Sequence, residues 1–224
     1  MKTKVKKIYS ADDPSKSARQ LEADLAAKDA QIVERDAEID KLRALVTKDE
    51  LTGVLNRRGF FEELNKIFDD IHFAKKHAES RKHFFIDSAA LLYIDVDNFK
   101  PVNDIFGHAA GDNLLKKIVS LMEKEVRRVD FIGRLGGDEF GIVLVGSSAD
   151  GAFMQAEKIR HIVAKSIMVP KKRGKKSPKV TLSIGVVSSD DADTPEKFIE
   201  RADFAMYEAK HDHGGNKVIR YLEV

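Results

Sequence analysis

The chain has 224 residues, 42% of them hydrophobic and 34% charged, with no cysteine and a formal net charge of +2 at pH 7. That apolar content excludes a wholly disordered chain, and the missing thiols exclude disulfides, cysteine nucleophiles and cysteine-based zinc sites. The near-balance of charge argues against a nucleic-acid or membrane-surface binder, and no apolar run approaches the about 20 residues of a membrane span.

Residues 1–14 carry lysines at 2, 4, 6 and 7 with no apolar stretch behind them, and read as a flexible basic entry without a secretory signal. A soluble, cytoplasmic protein is the expectation. Residues 15–48 contain neither Gly nor Pro. Placing Leu25, Ile32, Ile39 and Val46 at heptad position a puts Leu21, Lys28, Arg35 and Leu42 at d, which predicts a coiled coil, and the β-branched a residues favour a parallel dimer. The charged d residues weaken that pairing, and a solvated single helix is the plain alternative. Beyond residue 49 the texture becomes globular. The pattern predicts an amphipathic helix over 56–71, a helix extension and loop over 72–88, and a buried strand over 89–94. A second helix opens at Gly111-Asp112, and two strands over 131–135 and 140–145 are joined by a glycine-rich hairpin turn. A helix over 149–166, a basic loop over 171–179, a strand over 180–187, a helix over 195–210 and a last strand over 217–222 follow. One antiparallel pair among alternating strands and helices predicts an α+β domain, a mixed sheet with flanking helices.

Two constellations carry chemistry. Strand 89–94 runs into Asp95-Val96-Asp97, placing carboxylates at the sheet rim, where they need a cation; magnesium suits such hard oxygen donors beside phosphates. An isolated pair of this kind is as readily two solvent-facing turn residues. The hairpin turn Gly136-Gly137-Asp138-Glu139 brings two more acids. Asp95 and Asp138 on adjacent strands would form a metal site of the type that supports phosphoryl transfer. Successive residues of an extended chain face opposite ways, so Asp138 and Glu139 can divide the duties of metal ligand and proton acceptor.

Gly136-Gly137-Asp138-Glu139-Phe140 resembles the signature of the GGDEF-domain diguanylate cyclase family. Four further segments resemble that family in order: 49–58 (DELTGVLNRR), 95–104 (DVDNFKPVND), 106–112 (FGHAAGD) and 181–186 (TLSIGV). The resemblance covers about residues 49–224. It implies a nucleotidyl cyclase or palm-like fold that condenses two GTP molecules into cyclic di-GMP with release of two pyrophosphates, across two domains that face each other. By the same resemblance Asp95, Asp138 and the Val96 carbonyl hold the divalent cation, magnesium or manganese. Asp138 or Glu139 accepts the 3′-hydroxyl proton. Asn103 and Asp112 read guanine, with His108 at the same turn, and Phe99, Lys100 and Lys210 serve the phosphates. Capping and turn chemistry are the plain alternative for Asn103 and Asp112.

Arg127-Arg128-Val129-Asp130 fits the family's RxxD inhibitory product site, at which Arg127 and Asp130 would grip cyclic di-GMP; otherwise it is a surface ion pair. Residues 210–216 are one longer than the family pattern, with Gly215 where arginine often stands. The basic segments 75–83 and 171–179 resemble insertions. The implied organisation is a flexible 1–14, a coiled-coil dimerisation helix over 15–48 and a GGDEF domain over 49–224 that forms homodimers, with no nucleic acid and no membrane span. The competing readings are a non-catalytic GTP or cyclic di-GMP sensor, which would lack turnover, and a coiled-coil scaffold, which would leave the acids unexplained.

Overall fold

The computed structural model describes residues 14–76, 86–170 and 177–222. The expected flexible entry and most of the two basic insertions lie outside them. The chain forms two units, residues 1–45 and 46–224. The first is helical, within α1 (Pro14–Thr47). Its heptad residues Leu25, Ile32, Ile39 and Leu42 are about half exposed in the single chain.

The second unit is a six-stranded sheet in the order β1-β3-β4-β2-β5-β6. Its centre is β2 (Ala89–Asp97), every residue of which is buried. β4 (Glu139–Val145) and β5 (Thr181–Ser188) flank it, both antiparallel. β3 (Phe131–Arg134) pairs antiparallel with β4, while β1 (Leu55–Asn56) and β6 (Val218–Arg220) add parallel edges. The expected α+β mixed sheet is therefore found. The period-2 alternation of β2 sorts its side chains between two cores. Ala90, Leu92, Ile94 and Val96 pack with α3 (Phe99–Phe106), α4 (His108–Glu123) and α5 (Ala149–Ser166). Ala89, Leu91 and Tyr93 pack with α2 (Arg57–Lys76) and α6 (Pro195–His211).

Local chemistry sets the helix starts. Asn56 accepts the Gly59 N–H at 2.9 Å, so it caps α2 and lies in β1 instead of opening the helix. Ser148 caps α5 and Thr194 caps α6, with Pro195 at the first helical position. The helix expected to open at Gly111 begins at His108, and a short α3 precedes it, because Gly107 with φ 86° breaks the chain between them. β2 runs three residues past the apolar 89–94 stretch. Pairing with β5 continues to Asp97↔Thr181, so ladder hydrogen bonds, not hydrophobicity, end the strand.

α6 lies directly on β5. A Cβ at Gly185 would come within 2.0 Å of the Ala202 carbonyl oxygen and 2.4 Å of the Met206 nitrogen. Both neighbours are helix backbone and cannot yield locally. Gly185→Ala is expected to destabilise the domain by about 2–3 kcal/mol, read as a lowered denaturation midpoint with unchanged slope.

Candidate active site

The odd-numbered face of β2 is apolar through Tyr93 and then acidic. Asp95 and Asp97 continue it toward the last turn of α6, where Lys210 lies. The Lys210 ammonium donates to Asp95 Oδ1 at 2.7 Å, with the Asp95 side chain only 7% exposed. Burial raises the Asp95 pKa, Lys210 opposes that rise, and the charges of Asp138 and Asp97 add to it, leaving it above the ordinary value. Burial would lower the Lys210 pKa, but the bond to Asp95 and the neighbouring carboxylates carry it upward. The rim is thus a focus of negative charge that draws a cation.

Asp138 reaches the same rim from the hairpin. Its carbonyl accepts the Val96 N–H at 3.1 Å, and Leu135 N–H closes the turn on the Glu139 carbonyl at 2.9 Å. Glu139 sits opposite Asp95 in the β2–β4 register. Its carboxylate accepts from the Tyr93 hydroxyl at 3.3 Å, and burial followed by the Glu139 charge raises the Tyr93 pKa, keeping that phenol a neutral donor.

Among the described residues no three His, Cys, Asp or Glu side chains converge as a metal cage. The donors nonetheless fit a hard divalent ion. Asp95 is buried, Asp138 is coupled to it electrically, and the Lys210 ammonium on Asp95 marks where a cation is stabilised. Two carboxylates completed by phosphate oxygens suit magnesium or manganese.

The other expected site residues fall on the elements that follow β2. Asn98, with φ 62°, ends the strand and turns the chain so that Phe99 and Lys100 open α3. Phe99 is half-buried against the α4 side of the core, whereas Lys100 is exposed. Asn103 Oδ1 is buried without a hydrogen-bond partner among the described residues. Gly111 is the reason it fits, since a Cβ there would overlap that oxygen at 1.9 Å. Asp112 and His108 are exposed on the same α4 turn.

Arg127 and Asp130 lie apart from this rim. Asp130 accepts the N–H groups of Arg127 and Val145 at 2.8 and 3.0 Å and the Arg127 guanidinium at 3.1 Å. Its side chain is 2% exposed against 61% for Arg127. The carboxylate is therefore a structural acceptor, and the guanidinium is the accessible group. Clefts of about 350 Å³ open on both sides of the pair.

Two features escaped the sequence. Asp97 is a buried acceptor. Arg134 donates to the Gly137 carbonyl at 2.7 Å and to Asp49 at 3.2 Å, clamping the hairpin to the 49–54 turn. Asp97 and Asp49 lie inside the recognised motifs and Arg134 two residues before one, but only the fold reveals which groups they meet.

These elements define a nucleotide-cyclase type of fold with an acidic rim. A family model described as "Diguanylate cyclase, GGDEF domain" matches residues 46–216, and the chain belongs to that family. It is 35% identical over 179 residues to the probable diguanylate cyclase DgcT of Escherichia coli, covering 77% of this chain and 35% of that protein. It is 42% identical over 134 residues to diguanylate cyclase A of Treponema denticola, covering 59% of this chain and 35% of that protein. The chain thus spans about a third of the length of these curated relatives. Among solved structures, SiaD of Pseudomonas aeruginosa, in complex with its activator SiaC, superposes with TM-score 0.72 at 32% identity over 92% of this chain and 74% of that one. The coiled coil and GGDEF domain of DgcB from Caulobacter crescentus, in complex with c-di-GMP, gives TM-score 0.70 at 26% identity over 89% of this chain and 98% of that one. No helix among the described residues is long and apolar enough to cross a membrane.

The clamp gives a pH-dependent prediction. Burial opposes ionisation of Asp49, but hydrogen bonds from Thr52 and the Arg134 charge outweigh it and lower its pKa below 3.8. The stabilisation is complete above that ordinary value and is lost as pH falls through the lower folded-state value. Asp49→Asn should cost about 1 kcal/mol at pH 7, allowing for solvent screening. Its melting temperature should converge with that of the parent protein below pH 3.8.

Proposed function

We propose that this protein is a diguanylate cyclase. Two GTP molecules, one held by each of two facing domains, react so that the 3′-hydroxyl of each attacks the α-phosphorus of the other. Two P–O bonds form, two pyrophosphates leave, and each hydroxyl proton passes to a carboxylate of the hairpin. The observation that carries this reading is the meeting of Asp95, Asp138 and Lys210 at one rim, with Asp95 held by Lys210 at 2.7 Å. Bound magnesium or manganese would neutralise phosphate charge and acidify the attacking hydroxyl.

The chain's own residues supply the rest. Asp95, Asp138 and the Val96 carbonyl are the proposed ligands. Asp138 or Glu139 is the proton acceptor; Glu139, tethered by Tyr93, is the less free of the two. Lys210 turns from Asp95 toward the terminal phosphates, and the first turn of α3, with Phe99 and Lys100, offers backbone N–H groups and a cation to the remainder. The unpartnered Asn103 Oδ1 supports guanine as the base, because the guanine edge presents N–H donors where adenine presents a ring acceptor. Asp112 and His108 complete that end of the pocket. Holding both nucleotides in line supplies about 7–11 kcal/mol of the barrier reduction.

The heptad spacing of apolar residues in α1 supports homodimerisation through that helix. Product inhibition by cyclic di-GMP is assigned to Arg127, whose guanidinium is available to phosphate and guanine, with Asp130 fixing the turn that presents it.

Incubation of the purified protein with GTP and magnesium should yield cyclic di-GMP and pyrophosphate. Asp138→Ala should lower turnover by at least about 100-fold while leaving the melting temperature nearly unchanged. Tight nucleotide binding by the parent protein without any product would reject the cyclase in favour of a sensor. Arg127→Ala should relieve inhibition by added cyclic di-GMP and spare initial turnover. Asp130→Ala should instead cost about 2–3 kcal/mol of stability, since two backbone N–H groups lose their acceptor. Inhibition that persists in Arg127→Ala would remove the product site from this turn.

A further inference from the structure

Asp97 stands two residues beyond Asp95 on the same face of β2 and is 6% exposed. A carboxylate buried this deeply is costly unless it is bonded. Its partners are all neutral: Thr181 Oγ1 at 2.6 Å, Ser183 Oγ at 2.7 Å and the Asn216 N–H at 2.9 Å. Neutral donors satisfy the oxygens but leave the charge in place. A spacing of two residues on one strand face places it about 6–7 Å along β2 from Asp95, so that charge adjoins the rim.

The third donor belongs to the loop that closes α6. Asp212 and His213 N–H groups turn back to the Glu208 carbonyl, and Gly215 N–H to that of Ala209. Gly214, Gly215 and Asn216 then follow with φ of 77°, 78° and 53°. Gly215 presses on the carboxylate so closely that a Cβ would lie 3.0 Å from Asp97 Oδ1. Arg160 secures the far side by donating to Asn216 Oδ1 at 2.9 Å. This is the segment one residue longer than the family pattern, and Lys210 sits on the turn it wraps.

We propose that Asp97 is a positioning residue of the reaction site: a buried, unneutralised carboxylate that anchors the loop behind Lys210 and reinforces the cation-holding field of Asp95 and Asp138 without touching cation or substrate. The role rests on the cyclase reading of the same rim. It differs from plain structural support because an uncharged residue could join the same strands and loop without contributing to the field.

The test is Mn²⁺ binding by calorimetry without nucleotide, beside steady-state kinetics with GTP. Asp97→Asn keeps the shape and removes the charge. Its Mn²⁺ affinity should fall by about 10-fold, the lower end of what outer carboxylates contribute, and the KM for GTP should rise several-fold with kcat changed less than KM. Thr181→Val removes one donor and keeps the charge. It should hold Mn²⁺ affinity within about twofold of the parent protein while raising the KM for GTP through a loosened Lys210 turn. Parent-like Mn²⁺ affinity in Asp97→Asn overturns the proposal and leaves the cyclase reading standing. Should that variant not fold, a parent-like KM in Thr181→Val overturns it instead. A parent protein that binds no Mn²⁺ at all removes the metal rim, and this role with it.

Discussion

Concentrated negative charge at the end of a fully buried strand is the constraint to which the domain is built. β2 is enclosed on both sides, and the residues that end it on the α6 face are acids. Each uncompensated carboxylate there would cost several kcal/mol. The fold answers with two different devices: an ammonium on Asp95, and hydroxyls with a backbone amide on Asp97. Neither of them neutralises the whole cluster. The residual field suits a site whose ligands bring a divalent cation and a polyphosphate together.

The same economy governs the geometry around the rim. Arg134 bonds the hairpin carbonyl at Gly137 and the Asp49 carboxylate together, and Asp49 caps its own turn through Thr52. One guanidinium therefore links the glycine-rich turn to the first residues of the second unit. The hairpin is short and contains two glycines, which lose more freedom on ordering than other residues. A largely buried arginine that donates to a carbonyl and to a carboxylate at once is suited to holding such a turn in one conformation.

Charge is used differently at the Arg127 turn. There the carboxylate is buried and occupied by backbone donors, while the cation faces outward between two clefts. An acid–arginine pair close in sequence thus divides into a structural half and an accessible half. Placed on the far end of β3 and β4 from the hairpin acids, it gives the domain a second cationic feature separate from the rim.

Much of this architecture was legible in the sequence, because periodicity and turn chemistry are local. The helix over 149–166 and the two hairpin strands follow from spacing, capping residues and glycines, and five ordered motifs define the family. What was not legible depended on partners distant in the chain. The extension of β2 to Asp97 came from pairing with a strand more than 80 residues away. Gly111 read as a helix start, whereas it lies in the first turn of α4 and leaves room for Asn103. That Asp130 also accepts the Val145 N–H, 15 residues on, needed the β3–β4 pairing. By itself the sequence determined which residues carry charge and where most helices and strands lie, the short β1 and α3 excepted, since those properties reside in short stretches of chain. Only the tertiary structure decided which acid receives a cation, which receives neutral donors and which is left for the hairpin, because the field at each carboxylate is set by groups that folding alone brings within hydrogen-bonding distance.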